Sequence, residues 1–82
     1  MAKKRLVIDV PRYTGKDRKK RMEYQRDLEL AKRIEDHINP QLDDERAITF
    51  HYSDIGRALG IDPDKVHRLL RRNGGGPQAI TL

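Results

Sequence analysis

The sequence predicts a mostly α-helical fold: one long helix, two short helices joined by a tight turn, and a minimal β element. Three observations predict it. Tyr24, Leu28, Ala31, Ile34 and Ile38 recur at spacings of four, three, three and four, which puts them on one helical face. Gly60 and Asp62-Pro63 punctuate the stretch from Tyr52 to Asn73 as the end of one helix and the start of the next. Two β-branched or aliphatic runs, 48–52 and 78–82, flank that stretch.

The 82 residues are expected to form one domain with a small core, a size that gains from dimerisation or a ligand. Residues 1–16 read as a basic arm containing one strand-like run, Arg5–Val10. Residues 17–39 carry the long helix. Residues 40–82 hold the helical pair with its short flanking strands, and open on an acidic linker at Asp43-Asp44-Glu45. Charged residues make up 38% and aromatics 5%, a balance that leans toward disorder, so the N-terminal arm is expected to be loose in isolation.

The long helix should end where Pro40 pushes Asn39 out of the helical region. At 1.5 Å per residue it spans ~33 Å, so its first turns should project beyond so small a core. Glu29 precedes Arg33 by four residues, the favoured order for an ion pair along a helix. Lys16, Arg18, Lys19, Lys20 and Arg21 crowd its N-terminus, where the helix dipole favours anions. Either a bound phosphate or a frayed, solvated first turn would relieve that conflict.

The net charge is +5 and the isoelectric point 9.8. From Lys3 to Arg21 the cations Lys3, Lys4, Arg5, Arg12, Lys16, Arg18, Lys19, Lys20 and Arg21 face only Asp9 and Asp17. An isoelectric point above ~9 in a small domain is the footprint of a polyanion binder, although a basic soluble protein without such a partner carries it too. There is no cysteine, which removes disulfides, zinc–thiolate sites and thiol nucleophiles. Met1-Ala2-Lys3-Lys4-Arg5 looks like the start of a secretory signal, but Asp9 and Pro11 stop the apolar run behind it. No stretch approaches the roughly 18 apolar residues of a membrane span. The expected location is the cytoplasm, in association with the nucleoid.

The helical pair can be read position by position. Ser53 is a candidate N-cap for the first short helix, which runs to Leu59. Gly56 leaves room on its inner face for a second helix to cross closely, and Gly60 supplies a left-handed turn. Ile61 returns to the core. Asp62 caps the second helix, and Pro63 occupies its first position. Val66, Leu69 and Leu70 face inward, Lys65, Arg68, Arg71 and Arg72 outward, and Asn73-Gly74 closes the helix.

This stretch resembles the helix-turn-helix of prokaryotic transcription regulators. Gly56 holds the small-residue position of the first helix, where Ala is commoner, and Gly60 stands at the turn four residues later. Ile61, Val66 and Leu69 hold the aliphatic positions that follow. The flanking strand candidates are similar to those of the winged variant. Only nine residues follow Asn73, so a full two-stranded wing is not expected. The wing is missing, reduced to the Gly74–Gly76 loop, or replaced by Arg5–Val10 as a third strand, within the chain or with a second subunit.

The resemblance implies double-stranded DNA as partner, with helix 63–73 in the major groove. Arg68 is then the leading base reader, because arginine pairs bidentately with guanine. Lys65 and Arg71 would read bases or hold phosphate. Asp64 would accept from cytosine or only cap the helix, and His67 would meet a base or a phosphate. Ser53, Arg57 and Arg72 would hold phosphates, which position without specifying. Lys3, Lys4, Arg5, Lys16, Arg18, Lys19, Lys20 and Arg21 would follow the backbone or enter a minor groove. The small core, the protruding apolar helix and the unpaired strand candidates suggest a homodimer.

An enzyme is not expected. His37, His51 and His67 lack metal-ligand spacing, the acidic cluster lacks the calcium-loop pattern, and the glycine triplet lacks the lysine of a phosphate loop. No cofactor, metal or small-molecule ligand is indicated. Two other readings remain: a protein-interaction module built on the same scaffold, and RNA binding. The second is weakened by the scarcity of aromatics for base stacking.

Overall fold

A computed structural model of the chain describes residues 3–82; Met1 and Ala2, the first residues of the arm, lie outside the described residues. The fold is mostly helical, with three α-helices and a two-stranded antiparallel sheet. Helix α1 spans Arg18–Ile38, strand β1 Thr49–His51, helix α2 Tyr52–Leu59, helix α3 Pro63–Leu70 and strand β2 Ala79–Thr81.

Helix α1 starts at Asp17, whose carboxylate accepts from the backbone N–H groups of Lys19 and Lys20. No acidic residue follows in the first turn. Its C-terminal half buries Ala31, Ile34 and Ile38 against the other elements. Its N-terminal half projects: Leu28 is 42% and Met22 49% exposed, so Leu28 leaves the apolar face that the spacing assigned to it. The helix accounts for the elongated envelope, 45 × 29 × 19 Å. Pro40 ends α1 differently than expected. Asn39 keeps right-handed helical angles (φ −56°, ψ −40°), and Pro40 is absorbed into a single 3-10 turn, Asn39–Gln41, before Leu42 turns extended. Arg33 does not pair with Glu29; its guanidinium donates to the Leu59 carbonyl at 2.7 Å, at the open end of α2.

Helix α2 begins two residues earlier than its sequence suggests. His51 is the N-cap residue and makes no side-chain cap, Tyr52 is the first helical residue rather than the end of a strand, and Ser53 lies inside the first turn. The Tyr52 ring is buried, and its hydroxyl donates to the Gly76 carbonyl at 2.7 Å, tying the helix start to the glycine loop. Gly60 closes α2 in the left-handed conformation (φ 68°). The Ile61 N–H donates back to the Gly56 carbonyl at 2.9 Å. A side chain at Gly56 would collide with the Ile61 carbonyl and press on Pro63, so its absence sets how closely the two short helices approach. Asp62 caps α3 by accepting from the Asp64 N–H at 2.9 Å, with Pro63 at the first position. Helix α3 keeps α geometry only to Leu70; Arg71–Asn73 form a 3-10 turn before Gly74 (φ 86°).

Strands β1 and β2 pair in the register Phe50 opposite Ile80, both buried. Arg5–Val10 is not a third strand. It runs extended and antiparallel to α1 as a strap, and side chains hold its backbone where a neighbouring strand would. Asn39 accepts from the Leu6 N–H (2.6 Å) and donates to the Leu6 carbonyl (3.1 Å). Glu35 accepts from the Ile8 N–H, Asp44 accepts from the Lys4 N–H, and Asn73 donates to the Val7 carbonyl. Leu6 and Ile8 enter the core while Val7 faces solvent. The arm is thus packed rather than loose over residues 6–10, because two alternate aliphatic residues bury there, while Pro11, Arg12, Thr14 and Lys16 are exposed. The acidic linker is not purely a solvated spacer, since Asp44 helps anchor it.

Candidate nucleic-acid interface

The candidate site is the outer face of α3 and what stands beside it. Helical periodicity with Val66, Leu69 and Leu70 buried turns Asp64, Arg68 and Arg71 outward, with Lys65 and Arg72 flanking them. Lys65, Arg68, Arg71 and Arg72 are exposed, as are Asp64, Ser53 and Arg57. His67 is half-buried instead. Its ring stacks on Tyr52, with centroids 5.1 Å apart and planes 16° from parallel. It lines a cleft of about 250 Å³ with Tyr52, Ser53, Pro63 and Gln78.

Arg68 does not stand clear of the protein. It leans toward α1, and one guanidinium nitrogen meets the Asp27 carboxylate at 2.8 Å. Among the described residues this is the single ion pair, in a chain where charges abound. Lys65 and Arg68 form one wall of a cleft whose other wall is α1, with Glu23, Arg26, Leu30 and Arg33.

The basic arm is divided by the fold. Lys3, Lys4 and Arg5 lie at the C-terminal end of α1, against Asp36 and the acidic linker. The Lys4 ammonium donates to the Arg46 carbonyl at 3.1 Å. Lys16, Arg18, Lys19, Lys20 and Arg21 lie at the opposite, projecting tip, all exposed. The two groups, adjacent in sequence, are separated by the length of α1, about 31 Å for its turns. The tip forms a concentrated cationic surface, whereas Lys3, Lys4 and Arg5 share their end of the molecule with Asp36, Asp43, Asp44 and Glu45.

Three features escaped sequence reasoning: Asp27 as the partner of Arg68, the Asp17 cap, and the Glu35–Asn39–Asn73 supports of the strap. Asp27 had a signal. It falls four residues before Ala31 and seven before Ile34, inside the buried stripe of α1, where a carboxylate calls for a partner.

No family model, curated protein or solved structure matches the chain. The residues themselves carry the functional argument.

Proposed function

We propose that this chain binds double-stranded DNA and reads its sequence with α3, as a helix-turn-helix protein whose wing is reduced to the glycine loop and one β pair. The observation that carries this reading is α3 itself. Its inner face is wholly aliphatic, its outer face presents Lys65 and Arg68, the 3-10 turn that continues it adds the exposed Arg71 and Arg72, and a three-residue turn at Gly60 joins it to α2. A helix of this width fits the major groove, and arginine at its surface suits guanine. Ser53 and Arg57 would hold phosphates beside the groove, and the half-exposed His67 would meet a base or a phosphate. The projecting tip of α1 supplies sequence-independent attraction to the backbone. The chain would act in transcription or as an accessory regulator on the nucleoid. No helix among the described residues is long and apolar enough to cross a membrane.

Fluorescence anisotropy with random duplex DNA, and with single-stranded RNA, at low salt tests the reading. Duplex binding is expected, and its absence rejects the proposal. Stronger binding to the RNA favours RNA recognition, and binding to neither favours a protein partner. Selection from a random duplex pool should then yield a preferred sequence, whose symmetry reports whether one copy or two act. Replacing Lys65 and Arg68 together with Ala should abolish that preference without unfolding the chain.

A further inference from the structure

We propose that Asp27 is a positioning residue that holds Arg68 in its base-reading orientation. This rests on the DNA-reading role of α3. Asp27 occupies a place in α1 that the helix pattern reserves for an apolar side chain, in line with Ala31, Ile34 and Ile38. Its side chain is 22% exposed, whereas that of Arg68 is 55% exposed. The carboxylate is therefore the sheltered, fixed partner and the arginine the presented one. One oxygen engages one guanidinium nitrogen at 2.8 Å. The other guanidinium nitrogens form no hydrogen bond among the described residues and stay available for the two acceptors on a guanine edge. An unbraced arginine must surrender several rotatable bonds on binding; a braced one has already lost part of that freedom. The gain falls on the sequence that Arg68 reads and is absent elsewhere. The same carboxylate repels phosphates, so it weakens binding to all duplexes alike. Asp27 accordingly trades general affinity for discrimination.

The test compares wild type, Asp27→Leu, Arg68→Ala and the double variant on the selected duplex and on random duplex. Leucine suits the apolar stripe, so Asp27→Leu should melt at or above the wild-type temperature. Its preference for the selected duplex should fall ~2- to 10-fold. Arg68→Ala should lose ~5- to 150-fold of that preference, and Asp27→Leu should cost nothing further in its background. In the free protein, the Arg68 Nε–H resonance should be sharp in wild type and averaged in Asp27→Leu, a readout independent of DNA. Asp27→Asn, which keeps the size and one acceptor, should fall between the two and serves in place of Leu if that variant folds poorly. A wild type with sequence preference that Asp27→Leu leaves intact overturns the brace alone. An equal loss in the Arg68→Ala background does the same. A wild type with no preference overturns the brace together with the DNA-reading role.

Discussion

Gly56 and Gly60 decide the angle at which α3 leaves α2, one by what it lacks and the other by the backbone it permits. At Gly60, φ 68° is costly for a residue with a side chain, so Gly60→Ala should lower unfolding free energy by about 1–2 kcal/mol in a denaturant titration. Gly56→Ala should cost about 1–3 kcal/mol, because its methyl group meets a backbone carbonyl that cannot swing aside. Tyr52 is the hinge between α2 and the glycine loop. Burial raises its hydroxyl above the ordinary tyrosine range. The native state thus holds this proton more tightly than the unfolded chain does. That stability is fully present below the unfolded value of 10.0 and is lost as pH rises through the higher native one. Melting temperature should fall on titration through that alkaline window. Tyr52→Phe should start about 1 kcal/mol lower and lose less over the same range. A wild-type melting curve no more alkali-sensitive than that of Tyr52→Phe would contradict this account.

At the scale of elements, α1 has two jobs divided along its length. Its C-terminal half is core, and its N-terminal half is a projecting cationic arm. The strap takes over part of what a sheet would do. Asn39 satisfies both backbone groups of Leu6, and Leu6 is only 3% exposed. Leu6→Ala should therefore destabilise the whole fold by about 2–5 kcal/mol in chemical denaturation. A loose arm would predict almost no change. The alternation Leu6, Ile8 was legible as a strand pattern, and the burial it implied is present. The partner was not legible, because side chains of α1 and the 3-10 turns supply the hydrogen bonds, and nothing in the strap's own sequence specifies whether its partner is a strand or a helix face.

For the whole molecule, the separation of charge matters more than its total. The net charge of +5 is spread over a body 45 Å long, with cations concentrated at the α1 tip and on α3. Counter-ion release from duplex DNA changes log affinity by roughly 0.9 per neutralised phosphate per log unit of salt. Replacing Arg18, Lys19, Lys20 and Arg21 with Ala should flatten the salt dependence by as much as ~3.6 if each of the four meets a phosphate. Replacing Lys3, Lys4 and Arg5 should change it by less than ~1, since those side chains share the far end of α1 with Asp36, Asp43, Asp44 and Glu45. Equal effects of the two sets, measured as affinity against salt, would show that the strap leaves its place on the body when DNA binds.

The sequence alone determined the three helices, the turn at Gly60, the Asp62-Pro63 start and the β pair, because caps, turn residues and periodicity act over a few residues. It also determined which side chains of α3 are cationic and outward. Tertiary structure decided what stands opposite them. Arg68 is held by a carboxylate 41 residues away, His67 by the ring of Tyr52, and the cations of the arm are parted by the helix that follows them. Such pairings depend on how α1 lies across α3, an arrangement set by the burial of Ile34, Val66 and Leu70 together and therefore written in no single stretch of the chain.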